Sequence, residues 1–335
     1  MTASPLPAPS IRRLCLPLCV LSALSTLAAT ATHVRSADYP ARPVRLVVAA
    51  APGGSADALA RTLQHGMNDT FGQPVVIDNR AGASGTIGME LVARSAADGH
   101  TLLLITSTHT TLPSLIAKLP FDLVRDFAHV SLVVSQPNFL VVHPSVPVQT
   151  AKELAALART KPDSLRFASG GNGTSPHLAG EMFRLAAGAR ITHIPYKGSG
   201  PGITDLVGGH VHMMFAGPLA LEQLIRGGRL RLLAVADARR SKMFPDAPTL
   251  TEAGFPGIDS GTWYGLSLRA GTPAAVTAAL YRLVQQATRE PATATRLAAL
   301  GVDVVLSPPA QFGPFVREEI VRWAAVIRAA GVRSD

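Results

Sequence analysis

The sequence predicts an α/β protein of two lobes with a hinge and a cleft between them, on three observations. Strand-like and helix-like patterns alternate from Pro43 onward, at the length of parallel βαβ units. A second alternating series starts near Thr150. Extended segments near residues 131–143 and 259–270 join the two series, and two crossings of that kind describe a hinge. In such sheets ligands sit outside the carboxyl ends of the strands, which is where the lobes face each other.

In chain order, "VRLVVAAA" reads as a buried strand, "SADALARTLQHGMNDTFG" as a helix and "PVVIDNR" as a second strand. "GTIGMELVARSA" follows as a helix and "HTLLLITS" as a third strand. "HVSLVVSQPNFLVVHP" holds two β-like runs separated by Ser135-Gln136-Pro137-Asn138. The second series opens with the helix "TAKELAALARTKP", where Thr150 is the N-cap and Glu153 completes a capping box. "LRFAS", "THIPY", "VHMMFAG" and "LRLLAVA" read as strands, with helices at "SPHLAGEMFRLAAG" and "GPGITDLVGG". After the extended "GTWYGLSLRAGTP" the chain returns to helices, "PAAVTAALYRLVQQATRE" and "PAQFGPFVREEIVRWAAVIRAAG". Phe312, Phe315, Ile320, Trp323 and Ile327 form an apolar stripe on the last, read as core.

A chain of 335 residues, 47% apolar with 29 Gly and 26 Pro, is long enough to bury two cores and rich in turns. Arg12-Arg13 precede a short apolar run ending in small residues, so residues 1–37 read as a secretory leader. Pro17 and scattered Ser and Thr break that run, which argues against a membrane anchor. Cleavage sites are expected after "ATA" (Ala29 to Ala31) or "RSA" (Arg35 to Ala37). Cys15 and Cys19 both lie in the leader and neither sits in a lipobox, so the exported chain is expected to lack thiol and disulfide chemistry. That suits the periplasm. The net charge of +9 is scattered, aromatics make up 5% of residues and no basic block appears, which argues against nucleic acid and favours an anionic small ligand.

Strand–turn–helix junctions rich in glycine and hydroxyl residues recur. "RFASGGNGTSPHLAGEMFRLA" places Gly170, Gly171, Asn172, Gly173, Thr174 and Ser175 ahead of a helix, and "VVAAAPGGSADALAR" places Gly53, Gly54 and Ser55 likewise, with Asp57 able to cap the turn. "NRAGASGTIG" and "LLLITSTHTTLPSL" repeat the design. A helix N-terminus offers unpaired N–H donors and a partial positive charge, and glycine lets an anion approach them closely. More specific nucleotide and hydrolase motifs fail on residues: no Gly-Lys pair exists for a Walker loop, Pro176 replaces the third glycine of a dinucleotide fingerprint, and His177 replaces the last glycine of a nucleophile elbow. His210 and His212 share a strand face, but nothing completes a metal set. His177 could contact a ligand or simply pack. Lys197 could be solvated or meet an anion. No nucleophile, base and orienting acid can be assembled.

With these segments in view the chain resembles the Bug family, the periplasmic solute receptors of tripartite tricarboxylate transporters. The resemblance runs from Tyr39 to Gly331 and rests on "YPARPVRLVV", "PGGSAD", "GQPVVIDNRAGASGTIG", "ADGHTLLL", "SGGNGTSPHLAGE", "HIPYKGSGPGITDLVGG", "PDAPTLTEAG" and "GTWYGL". It implies a type II periplasmic binding fold: one lobe from residues 38–142 plus 262–335, the other from 143–261. It implies a monomeric receptor that closes on a small organic anion and delivers it to membrane permease subunits, without cofactor or metal. Carried over by motif, the first lobe contributes Pro52, Gly53, Gly54, Ser55, Ser107, Thr108 and His109. The second contributes Ser169, Asn172, Gly173, Thr174, Ser175 and His177, with Tyr196 and Lys197 nearby.

Two departures from the family pattern bear on the ligand. Ala49-Ala50 stand where Pro-Phe or Pro-Tyr is frequent, which opens space. Ala216 in "MFAG" stands where an aspartate is frequent, which argues against an amino acid and for a plain carboxylate, di- or tricarboxylic or aromatic. The competing expectations are a secreted serine hydrolase using a glycine-loop serine such as Ser175, and the effector domain of a transcription regulator. The leader and the missing DNA-binding segment weigh against the last.

Overall fold

The computed structural model describes residues 39–333 together with positions 1, 2 and 4. Apart from those three positions, the leader lies outside the described residues, with its cysteines and both cleavage sites. The chain runs through β1 (Val44–Val48), α1 (Ser55–Phe71), β2 (Val75–Asn79), α2 (Thr86–Ala93), β3 (Thr101–Thr106) and the short α3 (Leu112–Leu115) into a long strand, β4 (Phe127–Val142). Then come α4 (Ala151–Thr160), β5 (Arg166–Ser169), α5 (Ser175–Ala187), β6 (Thr192–Pro195), α6 (Ser199–Val207), β7 (Met213–Ala216), α7 (Pro218–Arg226) and β8 (Arg231–Ala236). β9 (Gly261–Arg269) returns, and α8 (Ala274–Arg289), α9 (Pro291–Ala299), β10 (Asp303–Val304) and α10 (Pro309–Ala330) follow.

Two sheets share β4. In the first, β1 pairs in parallel with β2 and β3, while β9 runs antiparallel between β3 and β4. In the second, β5 pairs in parallel with β6 and β7, and β4 lies antiparallel between β7 and β8. Each sheet is covered on both faces, which is why its strands read as continuous apolar runs rather than alternating ones. Val44, Leu46 and Val48 pack with α1 and α8, whereas Val47, Leu103 and Ile105 pack with α2 and α10. In the second lobe Phe167, Met213 and Phe215 face α4 and α5, and Ala168 and Met214 face α6 and α7.

The two β-like runs around residues 129–144 are one strand that changes partners. Phe127–Pro137 pair with β9, and Asn138–Val142 pair with β7 and β8. Pro137 has no N–H to donate and stands at that change. The second crossing lies beside it at Ser260–Gly261, where a Cβ on Gly261 would come within 2.7 Å of the Gln136 carbonyl oxygen; only glycine fits.

α4 begins as expected at Thr150, whose hydroxyl accepts from Glu153 N–H at 3.1 Å. The Glu153 carboxylate reaches one residue further back than a capping box requires and accepts from Gln149 N–H at 2.6 Å. α7 and α9 were not anticipated. Each has only nine residues and starts on a proline, a good first helical position that reads in sequence as a turn.

α10 binds the lobes at the back. Phe312 and Val316 sit in the first-lobe core, while Trp323 and Ile327 pack on Leu178 of α5 in the second. Within it Glu319 is buried and accepts from two indoles, Trp263 Nε1 at 2.8 Å and Trp323 Nε1 at 3.0 Å, and from Arg322 at 3.0 Å. The expected stripe on this helix is core: Phe315 and Ile320 are partly buried against the same clusters.

Candidate functional site

The carboxyl ends of β1, β3, β5, β6 and β7 each lead directly into a turn and a helix, and these turns converge on the interlobe cleft. After β1, Gly53 takes a left-handed φ of +81° and Gly54 precedes α1 without any side-chain cap. Asp57 supports this turn from behind. Its carboxylate accepts from Gly53 N–H at 3.0 Å and from Arg61 at 2.9 Å, and the Arg61 hydrogen bond holds its pKa below the usual range. The first N–H groups of α1 are left unpaired within the helix.

After β3, His109 closes a 3-10 turn: its Nδ1 accepts from Thr106 N–H at 3.0 Å. The ring proton therefore sits on Nε2, beside Gly85 on the cleft wall. Burial pushes the His109 pKa down to about 4, so the ring is a neutral donor. That wall is the turn Gly82–Gly85, in which four successive residues, Ala83 and Ser84 among them, have positive φ.

In the second lobe the Gly170–Thr174 loop leads into α5, with Thr174 as N-cap donating its hydroxyl to the Gly171 carbonyl at 2.8 Å. Gly198 N–H donates to the Gly170 carbonyl at 3.1 Å and ties the β6 turn to this loop. Gly198 and Gly217 precede α6 and α7, again without side-chain caps. Lys197 is exposed between them and makes no ion pair among the described residues.

The cleft has two adjoining chambers, of about 570 and 1360 Å³, which share Thr108, Gly170, Thr174, Lys197, Thr262 and Tyr264 as walls. A separate hollow on the outer face of the second lobe, near Lys152 and Phe244, is remote from these turns. Among the described residues that line the two chambers, Lys197 is the one with a formal charge, and no carboxylate is present. Helix N-termini, hydroxyls and one cation form an environment suited to an anion.

Nine expected residues line these chambers: Gly53, Gly54, Ser55, Thr108, His109, Asn172, Thr174, Lys197 and Ala216. Seven do not. Pro52 is exposed on the turn. Ser107 is buried with its hydroxyl unpaired, and Gly173 donates its N–H to His177. Ser169 bonds His193 and the 170–174 loop. The Tyr196 hydroxyl donates to Asp205 at 2.6 Å, and its pKa is pushed up to about 12 by desolvation and then by Asp205. His177 faces a separate hollow on the far side of the loop.

Ser175 is 2% exposed. Its hydroxyl donates to the Gly261 carbonyl at 2.8 Å, accepts from Asn138 Nδ2 at 2.8 Å and lies 3.1 Å from Ser260. It locks the two crossings together, and no histidine stands among these partners. A hydrolase nucleophile needs an accessible hydroxyl beside a base, so the Ser175 environment does not supply the serine-hydrolase alternative. His212 is likewise used structurally, its Nδ1 accepting from Arg166 N–H at 3.0 Å, and no three-residue metal set exists among the described residues. Gln136, Thr262 and Tyr264, from the crossing strands, also line the cleft and were missed as site residues. Thr262 and Tyr264 lie in the "GTWYGL" segment, which the sequence marks as a crossing, and nothing local shows that their side chains face the ligand.

Two α/β lobes hinged about shared crossing strands, with anion-suited turns facing one another, are the architecture of periplasmic binding proteins of type II. Comparison with known proteins makes the assignment specific. The family described as "Tripartite tricarboxylate transporter family receptor" (TctC) matches residues 59–332, and this chain belongs to it. It is 38% identical over 318 residues to Protein BugT of Bordetella pertussis, covering 94% of this chain and 98% of that one. Among solved structures it resembles R. palustris Rpa4515 with adipate, at 33% identity and a TM-score of 0.80, over 89% of this chain and 100% of that one. MatC (Rpa3494) from Rhodopseudomonas palustris with bound malate aligns at 32% identity and a TM-score of 0.76, over 86% and 100%.

Proposed function

We propose that this protein is the extracytoplasmic receptor of a tripartite tricarboxylate-type transporter, binding a small organic carboxylate. One observation carries the reading: among the described residues, the cleft combines helix N-termini and hydroxyls from both lobes with a single cation, Lys197, and no acid. Relatives that hold adipate and malate support the chemical class. On this reading the chain is exported by residues 1–37 and acts as a monomer in the periplasm. The lobes divide at the two crossings, so that residues up to 137 plus those from 261 onward form one and residues 138–260 the other; the expected bounds at 142 and 262 put residues 138–142, which pair with β7 and β8, in the wrong lobe. Gly53, Gly54, Ser55, Thr108 and His109 grip the solute from one side, and Asn172, Thr174 and Lys197 from the other. Ala216 leaves the floor without an acid, which disfavours amino acids. Because the solute contacts both lobes, it favours the closed state, and that state docks on the permease subunits.

A thermal-shift screen of the exported chain tests this. Di- and tricarboxylates, aromatic acids and amino acids are offered separately, since a ligand that binds only the native state raises Tm. A rise with one or more carboxylates, and none with the amino acids, is expected. A set of acids that leaves Tm unmoved, or a solute consumed on incubation, defeats the receptor reading.

A further inference from the structure

Behind the 170–174 loop, away from the cleft, two imidazoles lie face to face. His177, in the first turn of α5, and His193, on β6, stack with ring centroids 3.9 Å apart and planes 13° apart. Phe167 of β5 extends the stack, 4.7 Å from His193. Each imidazole holds the loop by a different atom. Gly173 N–H donates to His177 Nδ1 at 2.9 Å. His193 Nε2 and Ser169 Oγ share a hydrogen bond of 2.7 Å, and Ser169 Oγ accepts from Gly171 N–H at 3.1 Å.

Those attachments matter because of what the loop is. Gly171 and Gly173 have φ of +129° and +73°, and glycine is the residue with the most conformational freedom to lose. A loop of this composition left to itself samples many arrangements, and a solute would have to order it on binding. His177 is 3% exposed, and burial followed by the adjacent His193 presses its pKa down to about 3, which keeps Nδ1 free of a proton and able to accept. The remaining ring proton sits on Nε2, with Glu181 Oε1 3.9 Å away, while Arg184 takes the other Glu181 oxygen at 2.7 Å.

We propose that His177 is a positioning residue for solute binding: its unprotonated Nδ1, steadied by the stack on His193, holds the glycine loop in the one arrangement that presents Asn172 and Thr174 to the cleft. The binding consequence rests on the receptor reading; the claim about the loop rests on geometry alone.

Two substitutions separate the acceptor from the ring. His177→Phe keeps a flat ring on the stack and removes the acceptor. His177→Asn places an amide oxygen near the Nδ1 position and removes most of the ring. Three quantities are measured on the purified protein: Tm, amide hydrogen exchange at Gly171–Thr174 without solute, and affinity for adipate and malate by calorimetry. The Phe variant keeps the packing and leaves only the Gly173 N–H unpaired, so it should lose less Tm than the Asn variant yet exchange faster in the loop and bind about tenfold more weakly, the loss expected from one hydrogen bond. The Asn variant should melt earlier but stay within about threefold of the original affinity, with slow loop exchange. Affinity that tracks Tm rather than the acceptor, or unchanged loop exchange in the Phe variant, overturns the proposal. If the unsubstituted protein takes up neither acid, the receptor reading fails for them, and loop exchange still decides what His177 does.

Discussion

Lowering the pH from 7.5 to 4.5 should lower the folding stability of this protein substantially, chiefly through three histidines. His109 and His129 are pushed down to about 4 and His177 to about 3, with burial the leading cause for each. Each uses a ring nitrogen that must stay unprotonated, His109 and His177 accepting a backbone N–H on Nδ1. His129 lies with Nδ1 2.9 Å from Ser267 Oγ and Nε2 3.1 Å from the Leu123 carbonyl, so a neutral tautomer serves both. In the unfolded chain each titrates near ~6.5. Between that value and the folded values the unfolded state binds more protons, so stability is fully present above about pH 6.5 and falls as the pH drops. One such proton changes stability by about 1.4 kcal/mol per pH unit, and three together by about 4 at the steepest. Over two units that rivals the ~5–15 kcal/mol of a whole domain. The depressed carboxylates of Asp57, Asp78, Asp98 and Asp126 add their loss only below about pH 4. Guanidinium unfolding followed by circular dichroism at pH 7.5, 6.5, 5.5 and 4.5 measures the slope. His129→Gln should reduce it by about a third. Stability that stays level from pH 6.5 to 4.5 would refute the reasoning.

Lys197→Met should weaken binding of whichever acid raises Tm in the screen by about tenfold at low salt, the scale of one charge-assisted hydrogen bond, and flatten the dependence of affinity on ionic strength, both read by calorimetry. Thr174→Ala removes an N-cap hydroxyl and a cleft-lining group at once; a Kd increase equivalent to about 1–3 kcal/mol is expected, and an unchanged Kd removes the second-lobe loop from the site. Ser175→Ala leaves Asn138 without its acceptor between the crossings, so it should lower stability by about 1–3 kcal/mol in denaturant titrations.

The alternation of strands and helices was legible because it is local: an apolar run and a 3.6-residue stripe declare themselves wherever they pack. The short α7 and α9 were not, since nine residues opening on proline carry too little periodicity. β4 read as two runs because Ser135–Asn138 interrupt the apolar pattern, and only the change of sheet partners shows why those polar residues belong in a strand. At the site, the glycine turns were legible as chemistry, but their orientation was not. Ser175 and His177 belong to the same turn as Thr174, yet one faces the crossings and one the back of the loop. Which way each points is decided by partners far along the chain, Ser260 and Gly261 for Ser175, and for His177 by His193 on the next strand.

The Glu319 clasp has a practical consequence. Both indoles that donate to it are the only tryptophans in the sequence, one on a crossing strand and the other against the opposite lobe. A rearrangement of that junction alters the polarity around both chromophores at once. On the receptor reading their intrinsic emission is thus a label-free optical gauge of the hinge, and stopped-flow mixing with a candidate acid would time its closure without attaching a dye.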